Sequence, residues 1–220
     1  PIWENLGQDI PQNTSKNELC MSSYPLFSNC SIVLLAGGRG QRMGGHDKGW
    51  VTWQGQALIE HMQRVVRPLT DDLIISCNRN HERYQALADQ IVSDPTLEFH
   101  GPLVGILSAL QVARHQYLLV LPCDAPRIDL ELLSQLYQHA DERPAMCKHQ
   151  GHWQPLFSII PTAQLSVLQA LWDAGERSPK HALLQLNPVA IHCADDEQRL
   201  ANFNDPSVLQ QPLCMQETLC

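Results

Sequence analysis

The run Leu35-Ala36-Gly37-Gly38-Arg39-Gly40-Gln41-Arg42-Met43-Gly44-Gly45-His46-Asp47-Lys48 packs five glycines, two arginines and a lysine behind a short apolar stretch. Glycine lets backbone pass close to a ligand and turn its N–H groups inward, because no Cβ stands in the way. Concave rows of such N–H groups bind phosphate oxygens. Arg39, Arg42 and Lys48 add the positive charge that a polyphosphate needs. A Walker A loop would follow its last glycine with Lys-Ser/Thr, whereas this chain reads Asp47-Lys48-Gly49. The dinucleotide fingerprint fails too, because Gly38-Arg39-Gly40 leads to Met43 at the final glycine position.

Acidic residues complete the chemistry. Leu118-Leu-Val-Leu-Pro-Cys-Asp124 reads as a strand with a carboxylate just past its end, well placed to hold Mg²⁺. Asp94, after a short strand, is a second candidate at the same edge. Asn202-Phe203-Asn204-Asp205-Pro206 offers amide oxygens for a metal shell, with Asn204 the candidate ligand. His46 sits in the loop within reach of phosphate. His61, His81, His115 and His139 read as surface or capping residues.

These groups need a scaffold that brings strand ends together. Ser31 to Ala36 is short, apolar and β-branched, and Gly37-Gly38 stops it, so it reads as a buried strand. Further strands are expected at Leu73–Cys77, Gln90–Ser93, Tyr117–Leu121, His152–Ile160 and Val189–Cys193. Helical spacing is expected at Ala57–Val66, His81–Asp89, Gly105–Arg114, Asp129–His139 and Ala163–Asp173. Strands alternating with helices predict an α/β fold: one domain with a mostly parallel sheet and helices on both faces. The domain is expected over residues 30–210, between a flexible extension at 1–29 and a tail at 211–220; Met21 is a candidate initiator.

Net charge is 15 minus 23, or −8, which excludes a general nucleic-acid binder. An anionic substrate must therefore be held by local cations and backbone N–H groups. The eight cysteines, at 20, 30, 77, 123, 147, 193, 214 and 220, include no Cys-x-x-Cys pair. Buried reduced thiols account for them better than a zinc site from Cys147, His149 and His152, whose spacing is poor. With no apolar run near the ~18 residues that span a bilayer and no signal pattern at the start, a cytoplasmic protein without a membrane partner is expected.

Taken together, these motifs resemble the bacterial molybdenum cofactor guanylyltransferases, the MobA proteins. Their signature of Leu-Ala-Gly-Gly, three variable residues, Arg-Met-Gly-Gly, one variable residue and Asp-Lys is matched by Leu35–Gly38, Arg42–Gly45 and Asp47-Lys48. Gly101-Pro-Leu-Val-Gly105, Pro122-Cys-Asp124, Ala174-Gly-Glu-Arg177 and Asn202–Pro206 resemble family segments in the family's order. The resemblance covers roughly Ser31 to Leu209.

It implies a Rossmann-like nucleotidyltransferase fold, a Mg²⁺ requirement, and transfer of GMP from GTP to molybdopterin or Mo-molybdopterin. Leu35, Ala36 and Gly37 would line the guanine and ribose pocket, with Gly38 also on GTP and Asp94 and Gly101 on the nucleoside. Lys48 and Arg42 would act on the phosphates, and Asp124 would bind Mg²⁺. Where family members often carry Asn, this chain has Ser76, with Asn78 two residues on; both are candidate GTP contacts. His152, Gln154 and Pro155 fall where the family handles the pterin. Other cofactor-biosynthesis and molybdoenzyme-chaperone proteins are the implied partners, and a monomer is expected. A cytidylyltransferase for the same pterin, a sugar-phosphate nucleotidyltransferase and a non-catalytic nucleotide-binding module are the alternatives; the Gly37-Gly38 pair favours guanine.

Overall fold

The structure is a computed structural model and describes residues 26–38, 47–95 and 101–203. Chain order begins with β1 (Cys30–Leu35), a 3₁₀ turn at Lys48–Trp50, and a hairpin of β2 (Thr52–Trp53) and β3 (Gln56–Ala57). Next come α1 (Leu58–Val66), β4 (Leu73–Ser76), α2 (His81–Gln85), β5 (Gln90–Val92), α3 (Pro102–Val112) and β6 (Tyr117–Pro122). The second half holds α4 (Leu130–Gln138), β7 (Ala145–His149), β8 (His152–Pro161), α5 (Leu165–Asp173), α6 (Pro179–Leu184) and β9 (Val189–His192).

Seven strands form one sheet in the order β5-β4-β1-β6-β8-β7-β9. Only β8 runs against the others, pairing antiparallel with β6 and β7. The expected mostly parallel α/β sheet is thus what the chain forms. Period two sorts its side chains between two cores. Ile32, Leu34, Ile75, Leu119 and Leu121 face α1 and α4 on one side, while Val33, Ile74, Leu118 and Val120 face α3, α5 and α6 on the other. Burial on both faces explains why these strands read as unbroken apolar runs.

Local signals set the helix ends. Ala57 N–H donates to Glu60 Oε2 at 3.0 Å at the start of α1, and Asp129 Oδ1 accepts from Leu132 N–H at 3.0 Å at the start of α4. Helix α3 begins at Pro102, three residues earlier than its apolar periodicity suggested, because proline's fixed φ suits the first helical position. It is buried nearly all round, wedged between the sheet and α5.

Phe27 falls within the stretch expected as an extension at 1–29, and it belongs to the packed structure. Its ring is buried and stacks on Tyr137 with centroids 4.3 Å apart, and its N–H donates to the Leu69 carbonyl at 2.8 Å, so Phe27 packs below the sheet while Leu26, Ser28 and Asn29 stay exposed. Among the described residues, no helix is long and apolar enough to cross a membrane.

Candidate active site

Strand register aims four residues at one place. Leu35 pairs with Ser76 on one side and Pro122 on the other, and Ser76 pairs with Val92. Two residues past that row, each chain leaves its strand at Gly37, Asn78, Asp94 and Asp124. From β1 the chain steps outward to β4 and β5 on one side, while β6 lies on the other. This is the switch point where open α/β sheets bind ligands at their strands' carboxyl ends.

A cleft of about 390 Å³ opens there. Leu35 to Gly38 form its floor, Pro122 to Asp124 one wall, and Gly101, Pro102 and Gly105 the other, with Lys48, Ser76, Asp94 and Leu156 at the margins. The N-terminus of α3 therefore borders the cleft, and its first N–H groups, which have no acceptor within the helix, favour an anion. Gly105 permits the close approach of α3: a Cβ there would stand 2.7 Å from Ser76 Oγ and 3.2 Å from a Leu35 methyl.

Lys48 Nζ forms an ion pair with Asp124 Oδ2 across the cleft. Asp124 is 3% exposed, so its carboxylate is buried at the strand end, and its carbonyl accepts Phe203 N–H at 2.8 Å. On the opposite side Asn78 Nδ2 donates to Asp94 Oδ2 at 2.7 Å and to the Gly37 carbonyl at 3.3 Å, while Asn78 Oδ1 accepts Asp94 N–H at 2.9 Å. Arg79 donates to the Gly38 carbonyl at 3.0 Å. The floor of the cleft is thus held by side chains from the neighbouring strand end.

This arrangement of glycine-rich backbone, cation and facing carboxylate coincides with a family match. The model of the MobA-like NTP transferase domain matches residues 32–199. The chain belongs to that family. A molybdenum cofactor guanylyltransferase of Pseudomonas paraeruginosa is 59% identical over 183 residues, covering 82% of this chain and 92% of that protein. Its namesake in Pseudomonas fluorescens is 55% identical over 192 residues, covering 86% and 96%. Among solved structures, molybdopterin-guanine dinucleotide biosynthesis protein A of Archaeoglobus fulgidus superposes with a TM-score of 0.66 at 24% identity, covering 81% of this chain and 94% of that one. That likeness bears on the fold.

As a member of the MobA-like family, the chain brings most of its sequence candidates to this one cleft: Leu35, Ala36, Gly37, Gly38, Lys48, Ser76, Asp94, Gly101 and Asp124 all line it. Asn78 stands behind Gly37 and Asp94 instead of on the lining. The pterin candidates are spread along β8: His152 opposes His149 at the hairpin, Gln154 pairs with Cys147, and the Pro155 carbonyl accepts Ser158 O–H at 2.8 Å. Their neighbour Leu156, not singled out in the sequence, is the β8 residue that lines the cleft. Only the antiparallel register of β8 on β6 could have signalled it. Arg39, Arg42, His46 and Asn204 lie outside the described residues.

Cys30, Cys77, Cys123 and Cys147 are buried free thiols. Burial pushes the Cys30 and Cys77 thiols up to about 12, and Cys123 higher still. Cys147 lies against Cys193, and among the described residues no three histidine, cysteine or acidic side chains gather as a metal cage.

Proposed function

We propose that this chain is a molybdenum cofactor guanylyltransferase, which transfers GMP from GTP to the terminal phosphate of molybdopterin or Mo-molybdopterin. The observation that carries this reading is the Lys48–Asp124 ion pair at the switch point, set against the glycine-rich floor. The names of its relatives in Pseudomonas supply the substrates.

A terminal phosphate oxygen of the pterin attacks the α-phosphorus of GTP. The new P–O bond forms as the bond to the bridging α–β oxygen breaks, and pyrophosphate leaves with that electron pair. The nucleophile is already ionised at neutral pH, so no general base is needed. The enzyme aligns two anions and neutralises charge on the leaving group. Leu35, Ala36 and Gly37 seat the nucleoside, with Asp94 and Gly101 closing its far side. Lys48 exchanges its carboxylate partner for phosphate oxygens when the nucleotide enters, and Arg42 adds charge from the loop.

Asp124 would hold Mg²⁺, with Asn204, the chain neighbour of Phe203, as the further candidate ligand. The Asp124 carboxylate, buried at the strand end, is the hard oxygen donor that such an ion takes. When bound, the ion would supply charge neutralisation on the phosphates.

Pyrophosphate release and dinucleotide formation from molybdopterin with GTP, CTP, ATP or UTP, each with Mg²⁺, test the reading. Product from GTP in preference to the others is expected. Preference for CTP would reassign the base, and product from none would remove the function.

A further inference from the structure

Lys48 is the second half of an Asp-Lys pair, and the structure gives its neighbour a set of partners of its own. Asp47 caps the 3₁₀ turn that starts at Lys48. Its Oδ1 accepts the Tyr84 hydroxyl at 2.6 Å and Gly49 N–H at 3.3 Å, and its Oδ2 accepts Asn80 Nδ2 at 2.8 Å. Tyr84 is fully buried in α2, and Trp50 lies against it with ring centroids 5.1 Å apart. Arg83 in turn covers Trp50, its guanidinium carbon 3.6 Å from the ring centroid. Gly49 is required at this spot, since a Cβ there would run into the Tyr84 hydroxyl.

Asp47 does not line the cleft, whereas the next residue does. A charged acceptor holding two side-chain donors and a backbone N–H fixes the backbone from which Lys48 projects toward Asp124. A lysine carries a long flexible stem, so where its ammonium sits depends on how firmly that stem is rooted. We propose that Asp47 is a positioning residue for guanylyl transfer: clamped by Tyr84 and Asn80, it roots Lys48 so that its ammonium meets the nucleotide phosphates at Asp124. This rests on the reading of Lys48 as the phosphate-holding cation.

The clamp makes a prediction that a ligand role for Asp47 does not. In Asp47→Asn the carboxamide can still accept from Tyr84 and Gly49, but its NH₂ then faces the NH₂ of Asn80. Adding Asn80→Asp restores a donor–acceptor pair with the polarity reversed, and aspartate tolerates the left-handed conformation that Asn80 adopts, φ 55°.

The experiment measures kcat and KM for GTP, together with GTP·Mg²⁺ binding by calorimetry, on the full-length wild type, Asp47→Asn, Asp47→Asn/Asn80→Asp, Tyr84→Phe and Lys48→Ala. Circular dichroism checks that each is folded. Asp47→Asn is expected to lower kcat/KM by about 10- to 100-fold, the range in which small misplacements fall. Tyr84→Phe, which keeps the ring and loses one charge-assisted bond, should cost about tenfold. The double variant should recover most of the loss. Failure of the exchange to rescue a folded protein, or wild-type values in both Asp47→Asn and Tyr84→Phe, overturns the inference while the reaction stands. A wild type that binds GTP without turnover overturns the reaction and leaves the clamp to be judged on Kd. A wild type that binds no GTP overturns both.

Discussion

Asn78 and Asp94 face each other through a reciprocal pair of hydrogen bonds, amide to carboxylate at 2.7 Å and backbone N–H to amide oxygen at 2.9 Å. The same amide reaches the Gly37 carbonyl. One side chain thus fixes the Asp94 carboxylate relative to the glycine-rich floor. Asn78→Ala should loosen both at once. Loss of bonds to a charged group predicts a rise of about tenfold in KM for GTP, with a smaller fall in kcat. Steady-state kinetics at varied GTP check it, and an unchanged KM would remove Asn78 from the site's support.

The half of the fold that builds the cleft was legible for a physical reason. Strands β1, β4 and β6 are buried on both faces, so they read as short apolar runs, and each ends at a residue that lines the cleft or adjoins one that does. Glycine and charge marked the loop. What the sequence hid depended on tertiary pairing. Strand β7 and the small β2–β3 hairpin turn through Gln150-Gly151 and Gln54-Gly55, whose glutamines take positive φ of 49° and 50°. Glutamine is not the residue such turns usually announce themselves with. Helix α6, capped by Ser178 with Pro179 at its first turn, is too short to show periodicity. Tyr84 and Asn80 meet Asp47 from 37 and 33 residues away, which no local pattern records.

Gly105 offers a steric test of the same cleft. Gly105→Ala places a methyl 2.7 Å from Ser76 Oγ inside a packed layer. Overpacking of this kind costs about 1–3 kcal/mol, so the urea midpoint should fall and KM for GTP should rise as Ser76 and Leu35 are displaced. Gly105→Ala/Ser76→Ala removes the nearer clash and should recover much of the stability. Chemical denaturation of the three variants decides, with additive losses counting against the contact.

The thiols divide by environment. A hydrogen bond with Cys147, helped by Arg199 and His149, holds the half-buried Cys193 thiol below the ordinary range, while burial raises Cys30, Cys77 and Cys123. A thiol whose anion is favoured alkylates sooner. At pH 7 iodoacetamide should label Cys193 on the order of fivefold faster than an unstructured cysteine, allowing for its lower intrinsic nucleophilicity. Cys147→Ala should slow it toward the ordinary rate. Peptide mass spectrometry over a time course reads both.

Far from the cleft, Asp72 ties the lower edge of the sheet. It is fully buried and accepts Ser31 Oγ–H at 2.6 Å, Gln90 Nε2 at 2.6 Å, and Arg114 N–H and Nε at 2.9 and 3.0 Å. Burial alone would raise its carboxyl, but the Ser31, Arg114 and Gln90 hydrogen bonds and the Arg114 charge hold it below the usual carboxylate range. A depressed native pKa stabilises the fold fully above the unfolded value of about 4, and the contribution drains away as pH falls through the native one. Arg114 is half exposed, so solvent screens its share. Asp72→Asn should therefore cost about 3 kcal/mol at pH 7. The gap from wild type should narrow only below about pH 4, as the carboxyl of the unfolded wild-type chain takes up its proton while the native one stays ionised. Urea melts of both proteins from pH 3 to 8 test this, and a gap that stayed constant down to pH 3 would show that the Asp72 charge contributes nothing.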